Sequence, residues 1–156
     1  SCRRLIGTFH CKFIFLGYGQ QEKEMLDIVN NDSYKSLPVE IKMTHAPETI
    51  LAKSKVFFSL QLRNNYPSKS LLEGMASGNI PLVTDVGTTR MMAAPEFSYY
   101  VPEHFSAGDI AKQLIDILSM DEGLLQQKMA AARNFVELNY SIQASAAYYI
   151  NLYRKF

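Results

Sequence analysis

Asn64–Asp85, NNYPSKSLLEGMASGNIPLVTD, is the stretch whose reading decides the fold. Tyr66-Pro67-Ser68 is a turn, and Ser68 suits a helix N-cap because its hydroxyl can accept a backbone N–H of the first helical turn. Leu71, Leu72, Met75 and Ala76 then recur at steps of three and four, which gives a helix one apolar face. Gly78-Asn79 closes that helix, since glycine takes the left-handed position after a helix end without strain. Ile80-Pro81-Leu82-Val83 reads as a short buried strand ending at Thr84-Asp85. The unit is therefore loop, helix, turn, strand. A helix N-terminus carries about half a positive charge and unpaired N–H groups. Lys69 and Ser70 lie in that first turn, where a lysine is disfavoured by the helix dipole, and its presence points to an anionic ligand.

Upstream, Lys12–Leu16 is a continuous apolar run, as expected of a strand buried on both faces. Gly17-Tyr18-Gly19 ends it, either as the glycine-rich turn of half a Rossmann-like unit or as a plain tight turn. Gln20–Asn31 reads as a helix with Met25, Leu26, Ile28 and Val29 inward, broken at Asn30-Asn31-Asp32-Ser33. Val39–Met43 is a second strand, nearer an edge because it partly alternates. A loop with His45 and Pro47 leads into a short helix to Ser54, and Lys55–Leu60 is a third buried strand.

Downstream, Gly87-Thr88-Thr89-Arg90 makes a turn and helix start, and Ser98–Val101 is a fifth strand. Ser106 caps an amphipathic helix to Ser119 with Ile110, Leu114, Ile115 and Leu118 on one face. Asp121 starts a helix to about Leu138, with Leu124, Leu125, Met129, Ala132, Phe135 and Val136 inward. Ser141 begins the last helix, with Ala144, Ala147, Tyr148, Ile150, Leu152 and Tyr153. Strands alternating with helices dictate an α/β fold, a Rossmann-like parallel sheet of five or six strands with right-handed crossovers and a C-terminal helical tail.

At 156 residues the chain is long enough for one domain with a substantial core. A net charge of +1 supplies no bulk field for nucleic acid or an anionic membrane. No apolar run reaches the length of a membrane span, and Arg3-Arg4 is not followed by the apolar region of a signal peptide. The two cysteines, Cys2 and Cys11, lack metal spacing and read as reduced and cytosolic. His10, His45 and His104 share no spacing that would hold a metal. Cys2–Phe9 reads as the end of a helix with Leu5, Ile6 and Phe9 inward, so the chain begins inside an element and without Met, as an excised domain would.

The segment Glu73-Gly74-Met75-Ala76-Ser77-Gly78-Asn79-Ile80-Pro81-Leu82-Val83-Thr84-Asp85-Val86-Gly87 resembles the donor-site motif E-A-M-A-x-G-x-P-V-V-x-T-D-V-G of the group-1, or family 4, glycosyltransferases, which have the GT-B fold. The resemblance extends over nearly the whole chain and implies the C-terminal, nucleotide-sugar-binding domain, residues 1–156, of a longer two-domain enzyme. It implies that Glu73 binds the donor ribose, that Ser68, Lys69 and Ser70 sit by the diphosphate with Tyr66 in the same loop, and that Gly17, Gly19, His45 and Thr88 belong to the donor site. Arg90 is either a further donor contact or a solvated helix charge, and His45 either neighbours the base or is a surface histidine. Tyr148, Tyr149 and Tyr153 are candidates for a contact with the missing domain.

In the family a first Glu, about eight residues before the second, contacts the transferred sugar. Here that position is Asn65, or Asn64 in the register of relatives reading E-N-Y-P-S. Asparagine keeps hydrogen bonding and loses the charge. The family transfers sugar from a nucleotide-activated donor with retention, in carbohydrate biosynthesis, and uses no metal or other cofactor. Its partners would be the donor and the absent N-terminal acceptor-binding domain, through which alone a peripheral membrane association would arise. The family's Arg and Lys for the diphosphate would fall before residue 1, and no residue here is a convincing general base or nucleophile. Two other readings compete: a non-catalytic nucleotide-binding or interaction domain with a degenerate site, supported by Asn64 and Asn65, and a dinucleotide-dependent oxidoreductase domain, weakened because Gly17-Tyr18-Gly19-Gln20-Gln21-Glu22 lacks the third glycine.

Overall fold

The computed structural model describes residues 9, 11–17, 19, 22–32 and 37–155. The chain divides into two compact units, Ser1–Pro47 and Glu48–Phe156. The expected helix over Cys2–Phe9 lies outside the described residues save Phe9, as do Cys2, Arg3, Arg4, His10, Tyr18 and Ser33.

In the first unit, β1 (Phe13–Leu16), α1 (Glu22–Asn30) and β2 (Val39–Lys42) form a β-α-β arrangement. The strands pair in parallel from Phe13↔Val39 to Leu16↔Lys42. A parallel pair needs a crossover of this kind, and the helical run between the strands supplies it. Glu40 on β2 is flanked by Lys12 and by Lys42, the latter at 2.9 Å. Their hydrogen bonds, Lys12 first, hold its carboxyl below the usual carboxylate range. The helix reading needs one correction. Met25 and Val29, four apart, are half-buried, whereas Leu26 and Ile28 are exposed. The half-buried stripe is narrower than read and runs along the i,i+4 pair Met25 and Val29.

The second unit contains α2 (Glu48–Leu51), β3 (Val56–Ser59), α3 (Lys69–Ala76), β4 (Ile80–Thr84), a 3₁₀ turn (Thr89–Met91), β5 (Tyr99–Val101), α4 (Ala107–Leu118), α5 (Glu122–Tyr140) and α6 (Ile142–Tyr153). Its three strands are parallel in the order β3-β4-β5. The central strand β4 is buried throughout, so it reads as an unbroken apolar run rather than an alternation. The strand period separates its two faces. Val83 joins Leu71 and Met75 of α3, Ala132 and Val136 of α5, and Met92, Ala93 and Phe97. Ile80 joins Ile117 of α4 and Leu125 of α5, with Val56 and Tyr99 against them. The unit is thus a helix–sheet–helix sandwich, and all five described strands of the chain run parallel to their partners.

Local capping reads through from the sequence. Ser106 and Asp109 form a reciprocal capping box on α4. Asp121 accepts from the N–H groups of Gly123 and Leu124 on α5, and Ser141 from Ala144 on α6. Packing is where the readings shift. On α4 the fully buried residue is Ile117, and Ile115 faces outward. Ala76 and Leu124 are exposed. On α6 no residue is buried, and Tyr148, Tyr149, Ile150, Leu152 and Tyr153 are all exposed. Ile115 and Ile117, two positions apart, point to opposite sides of the helix, and it is Ile117, three along from the buried Leu114, that shares its stripe.

Candidate functional site

The loop after β3 and the turn after β4 leave the sheet at the same edge, the C-terminal one, because β3 and β4 are parallel. A small recess opens there. It is lined by Ser59 at the end of β3, by Gln61, Asn65, Tyr66, Ser68 and Leu71 along the loop and into α3, and by Thr89 and Met92 after β4. Leu71 and Met92 are core residues, so the floor is apolar and the rim polar.

Ser68 occupies the N-cap position of α3 with extended backbone, as read from the sequence. Its hydroxyl does not cap the helix. That oxygen instead lies 3.5 Å from the Ser70 hydroxyl, and the Ser68 N–H donates to the Met92 sulfur at 3.2 Å. Without a side-chain cap, the first-turn N–H groups of α3 keep no partner within the helix. The other end of α3 is closed as the sequence implies. Gly78 has φ +82, its N–H donates to Met75, and the Asn79 N–H donates to Gly74, the double bond pattern of a Schellman end.

Tyr66 precedes Pro67 through a cis peptide. Its hydroxyl lies 3.4 Å from that of Tyr140, at the end of α5. Burial, and then Tyr66, push the Tyr140 hydroxyl up to about 12. Asn64 turns away from Tyr66 toward the second turn: its Oδ1 accepts from the Thr88 hydroxyl at 3.1 Å and lies 3.4 Å from the Thr88 nitrogen.

Glu73 and Lys69 lie on the exposed face of α3, off the recess lining, with Lys69 Nζ 3.7 Å from Glu73 Oε1. The Lys69 side chain is 90% exposed and that of Glu73 45%, so this pair contributes little to stability. Lysine N-terminal to glutamate is also the weaker of the two orientations. Ser70 is likewise exposed. Arg90 is exposed, and its charge is paired. It makes a two-pronged bond to Asp85, at 2.8 and 2.6 Å, and its guanidinium lies 4.4 Å from the centroid of the Tyr100 ring. The Arg90 bond holds the Asp85 carboxyl below its ordinary range, and Asp85 raises that of Arg90. The Tyr100 hydroxyl donates in turn to the Ala93 carbonyl.

Gly17, Gly19 and His45 belong to the first unit. Gly17 has φ +146, a conformation that favours glycine, and its N–H donates to the Lys42 carbonyl. His45 is exposed in the loop after β2, where the Ala46 N–H donates to the Thr44 hydroxyl.

Of the residues expected in one site, Asn65, Tyr66 and Ser68 meet in the recess, and Asn64 and Thr88 meet each other beside it. The sequence reading missed Ser59, Gln61, Thr89 and Met92. Polar residues at the C-terminal end of a buried parallel strand are a usable signal, and Ser59 and Gln61 carry it. Nothing in the sequence marks Met92. Among the described residues no group of three or more His, Cys, Asp and Glu stands together, and no helix is long and apolar enough to cross a membrane.

Parallel strands layered with helices and closed by C-terminal helices make one half of a GT-B glycosyltransferase fold. A glycosyltransferase from Rickettsia africae ESF-5 matches 99% of this chain with a TM-score of 0.75 at 16% identity. A GtfA/B complex matches 99% with a TM-score of 0.79 at 15% identity. The pneumococcal O-GlcNAc transferase GtfA, in complex with UDP and GlcNAc, matches 94% with a TM-score of 0.55 at 15% identity. The chain spans 42%, 31% and 26% of these proteins, less than half of each. No protein-family model and no curated protein matches the chain.

Proposed function

We propose that the chain is the donor-binding part of a retaining glycosyltransferase, which moves a sugar from a nucleotide-activated donor to an acceptor without a metal or other cofactor. The observation that carries this reading is the recess at the C-terminal edge of β3 and β4, with the uncapped N-terminus of α3 in its wall. Ligands of open α/β sheets bind outside that edge, and free N–H groups at a helix N-terminus favour an anion such as a diphosphate. The pneumococcal GtfA complex, with UDP and GlcNAc on a similar fold, supports the same ligand class.

In this reading Asn65, Tyr66 and Ser68 line the donor pocket, and Lys69 and Ser70 flank the phosphates. Glu73, whose exposed pairing with Lys69 is easily exchanged, accepts both ribose hydroxyls. The chain's part in catalysis is electrostatic, stabilising the departing diphosphate. The acceptor site, and the groups that act on the acceptor hydroxyl, belong to an N-terminal domain of a longer cytoplasmic protein.

Calorimetric titration with UDP, GDP and ADP tests the reading. A charge-assisted pair of ribose bonds is worth about 1.5–3 kcal/mol, so Glu73→Gln should bind the preferred diphosphate roughly ten- to a hundredfold more weakly. Equal binding by parent and variant removes Glu73 from the site. A second reading, a nucleotide-binding domain without transferase activity, is favoured by the recess itself, since no carboxylate is among its described residues. It is separated by assaying sugar transfer in the longer protein: nucleotide binding without transfer selects it.

A further inference from the structure

We propose that Asn64 is a positioning residue that clamps the Gly87–Thr88 turn to the loop after β3, and that Asn65, not Asn64, faces the ligand. The clamp rests on geometry alone, and the role of Asn65 rests on the nucleotide-sugar reading above.

The two neighbouring side chains have different surroundings. Asn65 lines the recess. Asn64 is bound to Thr88 instead: one carboxamide oxygen, with two lone pairs, accepts the hydroxyl at 3.1 Å and meets the backbone nitrogen at 3.4 Å. The approach is close on the backbone side as well. Gly87 has φ +55, and a Cβ built there would stand 2.6 Å from both Cβ and Cγ of Asn64. Because the Asn64 Cβ is fixed to its own backbone, no rotamer relieves that contact. Residue 87 is therefore glycine for two reasons, its left-handed backbone and the side chain lying on it. A glutamate at 64 would add a methylene and a charge where a short neutral acceptor fits.

The clamp acts on the recess through the next residue. Thr89 lines the recess with Asn65, and its hydroxyl donates to the Val86 carbonyl at 2.7 Å, which ties it into the turn. Releasing Asn64 frees that turn without removing any atom that lines the recess.

The test measures UDP affinity by calorimetry in Asn64→Ala, Thr88→Val, their double variant and Asn65→Ala, with melting temperature alongside. Exchange of the Thr88 amide is followed by NMR without ligand. Asn64→Ala and Thr88→Val should each weaken UDP by about three- to tenfold, the range for one neutral hydrogen bond, and the double variant should lose no more than either single. Asn65→Ala should weaken UDP independently, so that its effect multiplies with that of Asn64→Ala. The Thr88 amide should exchange faster in Asn64→Ala, keep the parent rate in Asn64→Asp, which retains the acceptor, and be unmoved in Asn65→Ala. Multiplying effects of Asn64 and Thr88, or an unchanged Thr88 amide in Asn64→Ala, overturn the clamp. A parent that binds none of UDP, GDP and ADP overturns the nucleotide reading and the role of Asn65, and the exchange rates still decide the clamp.

Discussion

At its C-terminal end α3 stops on Gly78, packs Gly74 against the Phe57 ring, and hands over to Asn79, whose Nδ2 donates to the Leu51 carbonyl at 2.8 Å and the Ser54 carbonyl at 3.1 Å. At its N-terminal end the serine best suited to cap it does not, and the Ser68 N–H settles for a thioether. Thioether sulfur is a weak acceptor. The two ends of one short helix thus divide the work: the C-terminal end spends its polar groups on the fold, and the N-terminal end leaves its donors beside a recess. A helix needing only stability would cap both.

The sharpest way to break that contrast is Asn79→Leu. It strips a donor from two carbonyls in and near the core, each worth about 1–3 kcal/mol, while relieving an Oδ1 that has no partner. The expected loss is about 2–3 kcal/mol, or roughly 5–10 °C in thermal midpoint, read by calorimetric melting.

Next is Gly74→Ala. The added Cβ would stand 2.5 Å from Phe57 Cγ, an overpacking cost of about 1–3 kcal/mol, against about 1 kcal/mol gained in helix propensity. The expected result is a net loss that reverses to a small gain in a Phe57→Leu background. A gain in the parent background would mean that the ring moves aside freely.

Ser68→Ala should be nearly silent. Losing a working serine cap costs about 1 kcal/mol, whereas here the change in chemical denaturation should stay within about 0.5 kcal/mol, because the hydroxyl caps nothing. A full capping loss would place the hydroxyl on the helix in solution and erase the contrast.

An effect seen only at high pH concerns Tyr140, whose hydroxyl lies 3.4 Å from that of Tyr66. Tyr140 titrates at about 12 in the fold, above its ordinary 10.0. Its contribution is therefore complete below pH 10 and is lost as pH rises through 12, since the unfolded chain ionises first. Tyr140→Phe should flatten that decline, followed by tyrosinate absorbance and denaturant melts.

Most of the second unit was legible because its signals are local. Ser106, Asp121 and Ser141 sit at helix starts, Gly78 at a helix end, and β4 reads as an unbroken apolar strand despite Pro81. What was not legible depends on partners distant in sequence. Ile117 meets Ile80 and Leu125, and Met92 reaches Ser68 from 24 residues away. Asn79, read only as part of a turn, turned out to anchor the end of α2, because its two acceptors lie on another element. Asn65, Tyr66 and Ser68, close in sequence, lie together in the recess. Arg90 is exposed, but its pairing with Asp85 was not read.

That closed fork bears on encounter rather than affinity. A guanidinium and a carboxylate at 2.6 Å cancel as seen from the bulk, leaving the turn after β4 a dipole, whose field fades faster with distance than that of a lone cation. An incoming anion is then not drawn toward that turn from afar. Its association should follow ordinary diffusion with a shallow dependence on ionic strength, and Asp85→Asn, by exposing the cation, should make that dependence steeper.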